Sequence, residues 1–242
     1  MMKFAFLSDI NGNATALEAV LNDLHIQKID RIYVLGNLCL RGPEPKRVLK
    51  LLQASNAHVL KGGMDDWLVN GITDQNLSHL KLAALNEERQ WTLARLSEED
   101  LAYLNARPNE CIIDEGFEQI IHAFHATPTD LHMTVLADDT AKMEEAIMQR
   151  DEADTYIYGH TGRPFIRTLY GKTVMNVGSV GMPLDGHPLA SYITLTYVDG
   201  RYSAAIHRTP YNREHVVEIY KQSDYPNIEK MSTMIYYAVP SE

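Results

Sequence analysis

The sequence predicts an α/β fold interrupted by a helical insertion, on three observations. From residue 3 to residue 65, short apolar runs alternate with amphipathic helical stretches. From Leu77 to Leu104, Leu, Ala, Glu and Arg dominate and the alternation stops. From Glu110 onward strand patterns return, two pairs of them flanking the turn dipeptides Tyr170-Gly171 and Asp199-Gly200.

Taken in order, residues 3–7 form an apolar run that ends at Ser8-Asp9, as a buried strand entering a loop does. Ala14, Leu17, Val20, Leu21 and Leu24 then fall on one helical face. Arg31 to Leu35 reads as a second strand, stopped by Gly36. Pro43 and Pro45 open a helix carrying Val48, Leu49, Leu51 and Leu52. Ala57 to Leu60 is a third strand, stopped by Gly62-Gly63 ahead of a helix over Asp65–Val69. Residues 66–106 hold two or three helices, one of them starting at Ser97-Glu98-Glu99-Asp100. They form a cap over the site or a surface for a homo-oligomer. Strands follow at Glu110–Asp114 and Gln119–Phe124, a helix near Thr140–Arg150, and a strand at Thr155–Tyr158. The two hairpins pair Phe165–Leu169 with Thr173–Asn176 and Ser191–Val198 with Tyr202–His207. Helices at Asn212–Tyr220 and Ile228–Tyr236 close the chain.

Composition narrows the class. A length of 242 residues suits a single domain with the insertion at 66–106. No apolar run approaches the ~20 residues that cross a bilayer, and the short apolar start reads as a first strand rather than a signal peptide. Cys39 and Cys111 give no disulfide framework, so a reducing cytoplasm is the expected location. A formal charge of −10 argues against general nucleic-acid binding through the net field.

Five short blocks follow the strands: Ser8-Asp9-Ile10-Asn11-Gly12-Asn13, Gly36-Asn37-Leu38, Gly62-Gly63-Met64-Asp65, His125-Ala126-Thr127-Pro128 and Gly159-His160-Thr161-Gly162. In order and spacing they resemble the calcineurin-like metallophosphoesterases, whose pattern reads D-x-H, G-D, G-N-x-D, H and G-H-x-H. A further run from Asn176 through Pro183, with Asp185-Gly186-His187-Pro188, resembles the bacterial and archaeal branch. The resemblance implies a four-layer β-sandwich, two mixed sheets flanked by helices, with a helical insertion. It also implies metal ligands at Asp9, His125 and His160, with Asn11 and Asn37 as weaker candidates. Elsewhere the pattern departs: Asn11 stands for a His, Asn37 for the bridging Asp, Gly63 for an Asn and Gly162 for the last His.

Those departures bear on charge. Two dications about 3.5 Å apart repel by roughly 19 kcal/mol at an effective dielectric near 20, and an anionic bridge offsets much of that. Asn37 carries no charge. The surviving carboxylate and two imidazoles suffice for at most one divalent ion (Mn, Zn, Fe or Mg), and no other cofactor is called for. Arg41 is a candidate for phosphate contact because a guanidinium matches phosphate oxygens bidentately, with Asn37 as a second substrate contact. Arg41 and His125 are the catalytic candidates. The expectation is a phosphoesterase scaffold with a degraded two-metal site, weak or inactive as a hydrolase, that binds a nucleotide, another small phosphorylated ligand or a protein partner as a regulator or sensor. The rivals are an active hydrolase with one metal or a rearranged site, and a structural interaction module built on the inserted helices.

Overall fold

The computed structural model describes residues 1–75, 77–116 and 119–240. Its elements run β1 (Met2–Leu7), α1 (Ala14–Ile26), β2 (Arg31–Val34), α2 (Pro45–Ala54), β3 (His58–Val59), α3 (Gly63–Asn70), α4 (His79–Leu93), α5 (Glu98–Asn105), β4 (Glu110–Ile113) and β5 (Ile121–Phe124). They continue with α6 (Thr140–Lys142), β6 (Thr155–Tyr158), β7 (Phe165–Leu169), β8 (Lys172–Asn176), β9 (Ala190–Val198), β10 (Arg201–Thr209), α7 (Arg213–Gln222) and α8 (Ile228–Tyr237).

The strands form two five-stranded mixed sheets, ordered β10-β9-β1-β2-β3 and β4-β5-β6-β8-β7. In the first, β1 pairs parallel with β2 and antiparallel with β9. In the second, β5, β6 and β8 run parallel and β4 and β7 flank them antiparallel. Alternation along each strand decides the layering. Phe4, Phe6, Tyr33 and Leu35 of the first sheet meet Ile121, Ala123, Ile157 and Met175 of the second in one apolar core. Ala5, Leu7 and Val34 point the other way, under α1 and α2. Phe124, Tyr156, Tyr158 and Val174 face outward from the second sheet, under Met143 and Ile147. The result is helix, sheet, sheet, helix: the four-layer sandwich.

Local signals account for most boundaries. Asn13 caps α1 by accepting from the Ala16 amide, Pro45 opens α2, and Ser97 and Asp100 form a reciprocal capping box on α5. Between β3 and β4 lie three helices, α3, α4 and α5. Leu104 of α5 joins the core beneath the first sheet, whereas Trp91 of α4 packs with α7 and α8. One expectation needs correction. Instead of a helix over Thr140–Arg150, three α-helical residues capped by Asp139 run into a wide π-type turn at Met143–Ile147. The Met148 amide bonds to the Met143 carbonyl, and Met143, Ala146 and Ile147 are all buried against the sheet. No described helix is long and apolar enough to cross a membrane.

Candidate functional site

The loops after β1 and β2 remain zipped together beyond their strands. The Leu35 amide bonds to the Leu7 carbonyl, Asp9 to Gly36, Asn11 to Asn37 and Gly12 to Leu38, at 2.7–3.0 Å. This continued ladder brings Asp9 beside Asn37. Ser179 and the Gly181 amide both donate to the Asp9 carbonyl, at 2.8 and 2.9 Å, so the loop after β8 holds the same residue from below. Five non-glycine residues in these loops have left-handed backbones: Asp9, Asn11, Asn37, Arg41 and His160 have φ of 52°, 49°, 57°, 73° and 67°. Asn, Asp and His enter that region more often than other side chains, and Arg rarely does. Such clustering is characteristic of functional sites.

At the ends of β1, β2 and β3 most of the polar groups satisfy one another, with Asn11 the exception. Asn37 Nδ2 donates to Asp9 Oδ1 at 2.7 Å, and Asn37 Oδ1 accepts from the Met64 amide at 2.8 Å. These two partners fix the amide orientation, since a flipped group would face donor to donor and acceptor to acceptor. Asp9 Oδ2 accepts from the His160 amide at 2.9 Å. Asp65 accepts from the amides of Asn37, Leu38 and Gly62 at 2.8–2.9 Å, tying the second and third loops to the start of α3. Asn11 is buried, and its Oδ1 has no hydrogen-bond partner among the described residues.

At the ends of β5 and β6 the arrangement is looser. His125 is fully buried, and its Nδ1 lies 2.6 Å from the Leu35 carbonyl. Because a carbonyl only accepts, Nδ1 carries the proton and Nε2 presents a lone pair. That Nε2 is buried, with no hydrogen-bond partner among the described residues. The ring of His160 stands edge-on to His125, with centroids 5.3 Å apart, and its Nε2 lies 3.2 Å from Thr134 Oγ1.

The sequence reading missed the loop that closes over these imidazoles. Thr127 and Asp130 build a tight turn, after which His132 stacks on Trp67 of α3, 4.6 Å between centroids. A Cβ added at Gly63 would lie 2.5 Å from His132 Nδ1, so the His132 ring fills the space a side chain at 63 needs. The nearest signal in the sequence is the pairing of a side-chain-free residue at 63 with an extra His seven residues beyond His125.

Burial governs the titration of the site. It pushes His125 down to about 4, and His160 also down to about 4, with His125 adding to the effect on His160. It pushes Asp9 up, against the opposing pull of His160 and Asn37. Asp65 is pushed up to about 6 by burial despite its three amide donors. Each group is displaced toward its neutral form.

Arg41 points away from this cluster. Its Nε lies 3.5 Å from Glu88 of α4, and its carbonyl accepts from Tyr220 of α7 at 2.7 Å. Asp9, Asn37, His125 and His160 are thus brought together, and Arg41 is turned toward the inserted helix. Among the described residues no three His, Cys, Asp or Glu side chains are placed to hold a metal ion.

Comparison with known proteins matches this architecture. The family model described as the calcineurin-like phosphoesterase superfamily domain matches residues 2–200. An uncharacterized protein of Methanocaldococcus jannaschii is 27% identical over 205 residues, 78% of this chain and 80% of that protein. A crystal structure of a hypothetical protein from Pyrococcus horikoshii superposes with a TM-score of 0.83 at 20% identity, covering 100% of both chains. A metallophosphoesterase from Sphaerobacter thermophilus superposes with a TM-score of 0.78 at 22% identity, covering 98% of this chain and 99% of that one.

Proposed function

The chain belongs to the calcineurin-like phosphoesterase superfamily, and from that premise we propose that it is a member without two-metal hydrolysis, kept as a phosphate- or nucleotide-binding regulatory protein. One observation carries the reading: both ends of the Asn37 amide are engaged inside the protein. A bridging position must offer negative charge and lone pairs to two cations at once. Asn37 instead aims its NH2 at Asp9, and its side-chain oxygen already accepts from the first turn of α3. The NH2 group supplies Asp9 with the partial positive charge that a cation gives a carboxylate.

The other donors agree. Gly63 and Gly162 have no side chains, and His132 fills the space beside Gly63. The residues present do not fit a pair of ions. A regulatory protein needs the loops held in shape rather than charged, and the mesh of Asp9, Asn37, Asp65 and the surrounding amides supports that.

Metal analysis of the purified protein, with assays on p-nitrophenyl phosphate and its bis-ester in added Mn, tests this. We expect well under one equivalent of metal and no rate above that of a His125→Ala/His160→Ala variant. Two stoichiometric Mn, Zn or Fe ions per chain would falsify the proposal. A second reading, a single-ion phosphoesterase, draws on the Nε2 of His125, which has no hydrogen-bond partner among the described residues. His125 and His160 would hold that ion beside Asp9, and it would polarise a phosphoryl oxygen. One equivalent of metal, with ester cleavage lost in the double His variant, would favour it.

A further inference from the structure

We propose that the cavity between α4 and α8 binds a compact organic phosphate, with Arg41, Lys81 and Lys230 as its cationic wall. This inference names the site and ligand class for the binding role proposed above. It does not depend on the metal content of the β-strand ends. The cavity has a volume of about 230 Å³ and lies beside the loop from β8 to β9. None of Asp9, Asn11, Asn37, His125 or His160 lines it.

Its charge runs against the rest of the molecule. Three cations, Arg41, Lys81 and Lys230, and one carboxylate, Glu88, line it, a local excess of two positive charges in a chain of net charge −10. Neither lysine forms an ion pair among the described residues. The Arg41 side chain is 17% exposed, and a guanidinium has five donors in a fixed fork. Its described contacts are Glu88, 3.5 Å from Nε, and the Met234 sulfur, 3.6 Å from Nη2. A thioether is a weak acceptor, so most of the fork's donating capacity is unused. The protein nonetheless anchors this arginine: its left-handed backbone is fastened by Tyr220, and Glu88 is itself hydrogen-bonded by Tyr225.

The remaining surface selects against a bare inorganic ion. Leu85, Leu184 and Met234 give the cavity an apolar side. A dianionic phosphate set on Arg41 and the two lysines balances the excess charge, and a small carbon body covers the apolar wall. The volume is below the ~300–1,000 Å³ typical of drug-sized ligands, which favours a compact monoester over a larger molecule. Leu184 also packs beside Gly162, so an occupant of the cavity touches a side chain that itself borders the loop carrying His160.

Calorimetric titration of the full chain with phenylphosphonate tests the inference. This probe has the charge and the apolar ring and resists hydrolysis, so residual esterase activity does not affect the result. We expect one site, binding at least tenfold tighter than inorganic phosphate, and at least tenfold weaker binding in a Lys81→Ala/Lys230→Ala variant of unchanged circular dichroism. Lysine truncation at these solvent-facing positions leaves the core intact, and Lys81→Glu gives a second, stronger reversal. No saturable binding overturns the inference. So does full binding in the lysine variants together with its loss in His125→Ala, which would move the ligand to the β-strand ends. Two metal ions per chain would sink the proposed regulatory reading and leave this titration interpretable.

Discussion

The two halves of the candidate site solve the same problem differently. At the ends of β1, β2 and β3, Asp9, Asn37 and Asp65 are joined to each other and to backbone amides with few acceptors left over. At the ends of β5 and β6, the Nε2 of His125 has no hydrogen-bond partner among the described residues, and His160 meets Thr134 and the edge of the His125 ring. Both halves are buried on the same sandwich, so the difference lies in the side chains rather than the scaffold. The Asn37 amide closes the first half, and the two imidazoles leave the second half open.

The largest expected effect comes from reopening the closed half. Asn37→Asp places a second carboxylate against Asp9 Oδ1, where the amide now sits at 2.7 Å. We expect a loss of about 3–5 kcal/mol in urea unfolding without metal, the cost of a buried charge lacking a partner. Recovery of that loss on adding Mn would break the comparison, because the first half would then still be a ligand site.

Acid separates the halves by sign. His125 titrates near 6.5 in the unfolded chain and near 4 in the fold. Between those values the unfolded chain binds more protons, so this contribution is complete above 6.5 and is lost as pH falls toward 4. The loss is about 3 kcal/mol, and His160 behaves alike. Asp65 runs the other way: its carboxyl takes up a proton near 6 in the fold and near 3.8 when unfolded, so acidification favours the fold by about 3 kcal/mol. Unfolding free energies of His125→Gln and Asp65→Asn between pH 7 and 4 should therefore depart from the parent in opposite directions. Parallel profiles would contradict the assignment.

Gly63→Asn puts a side chain at the boundary between the halves. Its Cβ would lie 2.5 Å from His132 Nδ1 and 2.7 Å from the Leu131 carbonyl. We expect a loss of about 1–3 kcal/mol from overpacking, relieved in part by His132→Ala, as a double-mutant cycle would report. The smallest effect lies outside both halves. Asn13 caps α1 and donates to the Gly181 carbonyl at 2.9 Å. Asn13→Ala should cost about 1–2 kcal/mol in thermal or urea unfolding while leaving metal content unchanged.

The fold was legible wherever a local signal set a boundary. Strands stopped by Ser8-Asp9, Gly36 and Gly62, the cap at Ser97 and the two hairpin turns all lie where periodicity and turn residues place them. The wide turn after Lys142 was not, because α and π turns share the same apolar spacing over so few residues. At the site, the blocks located Asp9, Asn37, His125 and His160, since each follows a strand. Which atom of Asn37 faces Asp9, and that Arg41 turns toward Glu88, depend on partners 28 and 47 residues away in the chain. Such pairings leave no periodic trace. His132 escaped notice because its place is defined by the side chain that Gly63 lacks.

The stacking of Trp67 on His132 makes the protein its own optical probe. The chain has two tryptophans, and the other, Trp91, packs against Tyr225 away from the imidazoles. With Trp91 replaced by Phe, emission comes from the indole beside His132 alone. A spectral change when an ion or ester arrives can then be followed in real time without attaching a dye.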